Sequence, residues 1–345
     1  MLRAAGVLVL SSACFGSAAA APSAPGLRVE WVDVEGGAAT LIVTPAGESV
    51  LIDSGWDGGR DADRIREAAA RVGVARIDHL ITTHWHRDHV GGVAALAERL
   101  PIGRFYDHGF PEALPDLAPE LKAAYLRTTR GESRVLRPGD AIELRQAAGA
   151  PPVAIRVVTA HGLVAGEAAG APQTRPCNAR PAHEAIPDDA SDNHRSVGVV
   201  VSFGGFELLD LGDLTRNVEH KLACPRNLAG VVDVYQVTHH GAADSSDPAV
   251  LSAVAPTVAV VNNGPRKGGK AEVYQRLRAV GSIKEVFQVH RNVETGPADN
   301  TAAPLVANDE EACQGQPVRL TVSPDAKAYA VEVPSKGTRR TYEVK

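Results

Sequence analysis

Three histidines and an aspartate fall within the six residues His84 to His89, in "LITTHWHRDHVGG". Imidazoles and carboxylates are the usual ligands of zinc in open catalytic sites. His84 and His86 sit two apart, just past an apolar run, so an extended or tightly turned loop can bring both onto one ion. Asp88 and His89 follow where a helix is expected to begin, and that turn redirects them toward a second ion. Four ligands from one loop close neither coordination shell, so further ligands must come from elsewhere. Two other apolar runs end in suitable groups: "LLDLGD" delivers Asp213, and "VYQVTHHG" delivers His239 and His240. In a parallel sheet the carboxyl ends of strands gather at one edge, where α/β sites form. Three strand ends of this chemistry at one rim point to a metal centre.

The elements that must position these groups are readable from periodicity. Leu27 to Ser54 alternates as strands with Gly- and Pro-marked turns. Arg60 to Val72 has helical spacing, Ile77 to Thr82 is a β-run, and Val90 to Leu100 reads as one helix. Arg104 to Asp107 is a strand and Leu114 to Thr129 a helix, and Val153 to Thr159 is again a strand. His161 to Asp192 is rich in Ala, Gly and Pro without periodicity, and a loop of that length is usually functional or disordered; the reading here is a flap over the site. Strands resume at "SVGVVVSF" and "FELLDLGD", followed by alternating strands and helices to "IKEVFQVH". Val318 to Lys345 reads as a β-meander. The fold class is α/β, with mixed sheets covered by helices.

At this point the chain resembles a known family. His84-x-His86-x-Asp88-His89 is similar to the signature motif of the metallo-β-lactamase superfamily. Asp53 in "VLIDSG" and Asp213 in "LGD" match its other acidic motifs. The order of "DNHRSVGVVVSFGGFELLDLGDL" and "VDVYQVTHHGAADSS" resembles the ComEC-like hydrolases and a bacterial surface phosphorylcholine esterase. The resemblance implies a four-layer αββα fold. Residues 27–295 would form the hydrolase domain, and residues 296–345 a β-rich extension packed on it. By resemblance, His84 and His86 bind one divalent ion, while Asp88, His89 and His240 bind another, with Asp213 bridging. The ions implied are zinc, with manganese as the alternative. Asp53 would orient the ligand loop. His239 would contact the developing anion, although the roles of His239 and His240 are open to exchange. A "GHTxGS"-like ligand loop of the superfamily is absent. His194 in "DNHRSV" is the nearest substitute, as a substrate contact or as a ligand.

The implied reaction is hydrolysis of a phosphodiester or phosphate ester by metal-bound hydroxide, with Asp88, Asp213 and His239 as catalytic groups. Lactone or β-lactam opening is the alternative on the same machinery. A mononuclear iron dioxygenase and a non-catalytic metal-binding protein are the alternatives of other classes. His108 after a strand, and Asn263 in the Gly-rich basic stretch "NNGPRKGGK", are expected to meet substrate beside His194. His79, His220 and His290 read as structural, and His161 and His183 as weaker site candidates.

Composition narrows the partners. The chain has 345 residues, 44% hydrophobic and 4% aromatic, with a net charge of -5. A protein bound mainly through phosphate neutralisation should be basic, so nucleic acid is not favoured. A small-molecule or cell-envelope ester fits better. "MLRAAGVLVLSSACFGSAAAAPSAPG" has the charged, apolar and small-residue regions of a signal peptide, cleaved near residue 21. That implies a secreted or periplasmic protein; lipid anchoring at Cys14 is the rival, on a poor lipobox. Export leaves Cys177, Cys224 and Cys313, enough for one disulfide and one free thiol.

Overall fold

The structure is a computed structural model that describes residues 25–111, 117–166 and 189–345. The expected leader, Cys14, Cys177, His183 and most of the His161–Asp192 flap lie outside these residues.

The first part of the chain builds one sheet: β1 (Arg28–Trp31), β2 (Thr40–Val43), β3 (Ser49–Ile52), β4 (Ile77–Ile81), β5 (Ile102–Asp107) and β6 (Arg134–Val135). The middle builds a second: β7 (Ala141–Ile142), β8 (Val153–Ala160), β9 (Leu163–Val164), β10 (Gly198–Phe203), β11 (Phe206–Asp210), β12 (Val234–Gln236), β13 (Val258–Val261), β14 (Glu285–His290) and β15 (Val306–Asn308). The last strands, β16 (Val318–Val322), β17 (Ala328–Val333) and β18 (Thr338–Glu343), return to the first sheet, whose order is β18-β17-β16-β1-β2-β3-β4-β5-β6.

Period-two alternation explains the layering. Val29, Trp31, Ile42, Val50, Ile52 and Ile81 of the first sheet share a core with Val199, Val201, Phe203, Leu208, Val260 and Phe287 of the second. The neighbours that alternate with them face outward. Leu41, Leu51 and Leu80 pack with Ile65, Leu96 and Tyr125 of the helices α1 (Arg60–Arg71), α3 (Val93–Ala97) and α4 (Pro119–Thr129). On the other side Val200, Leu209, Tyr235 and Ala259 pack with Leu222, Leu251 and Leu277 of α5 (Arg216–Ala223), α6 (Pro248–Val254) and α7 (Ala271–Ala279). Two helix layers therefore enclose two sheets, as the αββα expectation requires.

Two expectations change. The 296–345 segment is no extension packed on a finished domain, because β15 pairs with β14 and β16 pairs with β1, so it supplies strands to both sheets. A meander with apolar residues on alternate positions can finish an open edge, and here it does. The single helix expected over Val90 to Leu100 is two short ones, α2 (Arg87–Val90) and α3, broken at Gly91-Gly92. There the helix start is pressed onto the chain after β3: a Cβ on Gly92 would lie 2.0 Å from the Ser54 carbonyl oxygen, and one on Gly91 2.4 Å from the Asp57 nitrogen.

The helix layer over the second sheet carries a buried acid. Glu219 of α5 accepts from the backbone N–H groups of Asp247 (2.8 Å) and Ser246 (3.2 Å), and burial pushes its carboxyl up to about 7. A carboxyl raised in the fold binds its proton more tightly there than in the unfolded chain. Its stabilising contribution is complete below about pH 4.5 and is lost as pH rises to about 7, on the order of 3 kcal/mol. Urea unfolding of the chelator-treated protein should therefore show stability falling across that window, with a shallower fall in Glu219→Gln. Identical slopes in the two proteins would count against this assignment.

Candidate metal centre

Strands β3, β4 and β5 run parallel, as do β11, β12, β13 and β14. Their carboxyl ends meet at one rim, which is where the histidines stand. Beyond β4 the chain is held by Asp53, at the end of β3. Asp53 takes a left-handed φ of 60°, uncommon outside glycine, and this turns its carboxylate under the loop. Its Oδ1 accepts the Thr83 N–H at 2.8 Å; its Oδ2 accepts the Thr83 hydroxyl at 2.7 Å and His89 Nδ1 at 2.7 Å. These bonds tie Asp53 to the loop that carries the candidate ligands. Asp192 supports the other side, accepting the Trp85 N–H at 2.8 Å and facing His108 Nε2 at 3.0 Å.

Imidazoles from two strand ends, those of β4 and β12, converge on one carboxylate oxygen that follows a third, β11. Asp213 Oδ2 lies 3.2 Å from His89 Nε2, 3.3 Å from His240 Nε2, 3.6 Å from His239 Nε2 and 3.9 Å from His84 Nε2. Asp88 Oδ2 closes the far side, 3.1 Å from His89 Nε2 and 3.2 Å from His240 Nε2. Asp88, His89, Asp213 and His240 are all buried, and their ligand atoms lie within 4.8 Å of one another. His86 stands beside His84, with ring centroids 4.7 Å apart, and is more exposed.

The hydrogen bonds on the outer nitrogens set the tautomers. The Thr83 hydroxyl must donate to the Asp53 carboxylate, so it accepts from His84 Nδ1 at 3.0 Å. His240 Nδ1 donates to the Asn262 carbonyl at 2.9 Å. With Nδ1 holding a proton, each ring leaves its Nε2 to face inward, the nitrogen that a ligating histidine offers. His84 Nε2 is buried without a hydrogen-bond partner. Burial, reinforced by the charge of His89, holds His84 well below the usual histidine range, and hence neutral. An orphaned lone pair facing carboxylates fits a cation.

Electrostatics agree. Burial pushes the Asp213 carboxyl up, but His240, His89 and His239 outweigh it and hold the group well below the carboxylate range. Burial likewise pushes Asp88 up, and His89, His240 and Lys267 reverse it. His89 is pushed down by burial and carried well above its ordinary value by Asp213, Asp88 and Asp53. Two buried carboxylates thus remain charged in a nest of imidazoles, a donor set suited to borderline divalent cations.

The two adjacent histidines separate. His239 and His240 both take left-handed φ values, 53° and 52°. His240 turns inward, while His239 stays at the rim, its side chain 16% exposed, with Nδ1 2.9 Å from Asp244 Oδ1 and Nε2 3.4 Å from Asn193 Nδ2.

Three substrate expectations change. His194 bonds the Ser191 carbonyl and packs on Gly162, and its neighbour Asn193 is the one that reaches His239. His108 is buried with Nε2 engaged by Asp192, so it braces the loop that carries Trp85. Asn263 is buried and spends its amide on the Gly264 and His290 carbonyls. A polar residue after a strand reaches the rim only if the turn aims it there, and these turns aim inward. His161 bonds the Leu136 carbonyl. Thr83, Asp192, Asn193 and Asp244 were not singled out by residue type; the "DNHRSV" motif order held the signal for Asp192 and Asn193. The basic stretch after β13 does serve the site, through Lys267, whose ammonium meets Asp88 Oδ2 and lies 5.1 Å above the Trp56 ring centroid.

Two sheets between helix layers, with histidines and carboxylates gathered at the strand ends, define the metallo-β-lactamase fold. Residues 32–169 match the family model described as the metallo-beta-lactamase superfamily. It is 28% identical over 269 residues to Recombination protein 2 of Haemophilus influenzae, covering 76% of this chain and 28% of that protein. The chain thus spans little more than a quarter of that relative, and this similarity accords with the ComEC-like order of motifs. Among solved structures it resembles a protein described as a metal-dependent hydrolase from Parabacteroides distasonis (TM-score 0.42, 14% identity, 77% of this chain and 93% of that one). It also resembles CmlA, a diiron β-hydroxylase from Streptomyces venezuelae (TM-score 0.39, 16% identity, 70% of this chain and 45% of that one).

Proposed function

We propose that this chain is an exported hydrolase using two divalent ions, zinc in the first place, to cleave a phosphodiester or phosphate ester in a small molecule or the cell envelope. The observation that carries the reading is the set of four imidazole Nε2 atoms around the buried Asp213 Oδ2, one of them without a partner. His84 and His86 would hold one ion, and Asp88, His89 and His240 the other, with Asp213 shared. When bound, such ions supply a hydroxide nucleophile at neutral pH and polarise the scissile oxygen. The chain's own groups do the rest. Asp88 Oδ2 is placed to accept a hydrogen bond from water in the centre. His239, half free at the rim and held by Asp244, stands to donate to the developing anion or leaving group. Lys267 brings a cation that an anionic ester would meet. The acidic net charge disfavours a nucleic-acid substrate. No helix among the described residues is long and apolar enough to cross a membrane.

The test is metal content, with turnover measured on phosphodiester, phosphomonoester, lactone and β-lactam chromogens. About two zinc or manganese ions with preferential phosphoester cleavage is the expected result. Two ions with lactone or β-lactam cleavage would leave the site reading and replace the substrate. A single iron with oxygen consumption, or no metal in a metal-replete preparation, would overturn the hydrolase reading.

A further inference from the structure

Away from the strand-end centre, a second group of chemically soft and hard donors meets at one point. Asp33 follows β1, His290 ends β14, and Cys313 lies in the link between β15 and β16. Asp33 Oδ2 is 3.2 Å from His290 Nε2 and 3.0 Å from Cys313 Sγ, and Sγ is 3.3 Å from the same Nε2. Asp33 and His290 are fully buried, and Cys313 is half-buried.

We propose that Asp33, His290 and Cys313 form a separate zinc-type metal site, with one carboxylate, one imidazole and one thiolate as ligands. Each of the three donor atoms contacts both others, so they form a nearly equilateral triangle with sides of 3.0–3.3 Å. Tetrahedral zinc bonds of ~2.0–2.3 Å give ligand-to-ligand edges of ~3.3–3.6 Å, so the triangle must open by about half an ångström on its Asp33–Cys313 side and by less on the other two. Without an ion, Asp33 Oδ2 accepts from both the Cys313 thiol and His290 Nε2. An ion above the face would replace those two protons and take a lone pair from all three atoms together. The fourth position opens outward, since Cys313 borders a shallow surface cavity lined by Asp309, Glu310, Gln314 and Gln316.

One group opposes an ion. Arg64 lies 3.5 Å from Asp33 Oδ2 and 3.9 Å from Cys313 Sγ. Its charge is already matched by Glu35 at 3.0 Å, and it is anchored on the Asp33 carbonyl at 3.0 Å. Carboxylate and thiolate together offset the two charges of the ion. Loading therefore releases the thiol proton, and any proton on the imidazole Nε2, to solvent, and binding should tighten as pH rises. The ion would join β1 of the first sheet, β14 of the second and the link that leads into the returning strands.

Spectroscopy separates this site from the proposed catalytic centre, whose ligands are nitrogen and oxygen alone. The full chain is stripped with chelator, without reductant, and loaded with cobalt(II). A near-ultraviolet thiolate-to-cobalt charge-transfer band is expected, and Cys313→Ser should abolish it and bind one ion fewer. The visible cobalt bands of the nitrogen–oxygen centre should persist in that variant. In the unmodified protein, zinc should slow labelling of Cys313 by a thiol reagent at least tenfold, which needs no variant to fold. Absence of the band, its survival in Cys313→Ser, or equal labelling rates with and without zinc would each overturn the site, whatever the hydrolase assay shows.

Discussion

Asp213→Ala is expected to abolish turnover and deplete metal from both positions, whereas His84→Ala should deplete mainly one. The difference follows from geometry. Asp213 Oδ2 is the atom that four imidazole nitrogens approach, three of them from inside the site and His239 from the rim, while His84 Nε2 contributes one lone pair from one side. Removing Asp213 also removes a buried negative charge that His89 and His240 face, leaving Asp88 as the neighbouring counter-charge. Metal assistance is worth several kilocalories of transition-state stabilisation, so the loss in rate should be on the order of 10³-fold or more. Plasma emission counts of bound metal, read beside turnover on the best chromogen, decide the matter. Full metal content and normal turnover in Asp213→Ala would mean the centre is organised around another group.

Asp53→Asn should weaken metal binding and turnover by roughly 10–100-fold while leaving the fold intact. Asp53 Oδ2 accepts two donors at once, the Thr83 hydroxyl and His89 Nδ1. An amide placed there offers N–H where both partners need an acceptor. Turning the amide over moves the misfit to the Thr83 N–H, which Oδ1 now accepts. The relaxed outcome is a His89 ring whose Nδ1 accepts and whose Nε2 carries the proton, and that tautomer cannot ligate. Asp53→Ala should be worse for stability, by about 1–3 kcal/mol, since it strands buried donors of Thr83. Competition with a chromophoric chelator reads metal affinity directly. Wild-type affinity in Asp53→Asn would show that the carboxylate does not orient the ring.

The reading of the sequence succeeded where residue type and strand position together determine placement. His84, His89, Asp213 and His240 each follow an apolar run, so the parallel strands that bury those runs also deliver the polar ends to one rim. Asp53 was visible for the same reason. His108 and Asn263 share that position yet turn inward, because local turn geometry and the partner across it decide which way a side chain faces. Asp192 could not be assigned by type alone, since its work is to hold a loop 107 residues away. Asp33 and Cys313 lie 280 residues apart, and no local pattern joins them. The meander at the end of the chain was evident from alternation, but which sheet receives it depends on an edge formed near the other end.

That last pairing has a kinetic side. Arg28 in β1 is opposite Thr321 in β16, so one side of an early strand waits for a partner made nearly three hundred residues later. Contacts this distant along the chain slow folding, because chain entropy is lost before the contact is gained. Until β16 arrives, Val29 and Trp31 sit on an open edge of the kind that recruits other chains. A polypeptide ending at residue 295 would carry that edge permanently, together with the one β15 covers, and should accumulate as aggregate instead of as a smaller folded protein.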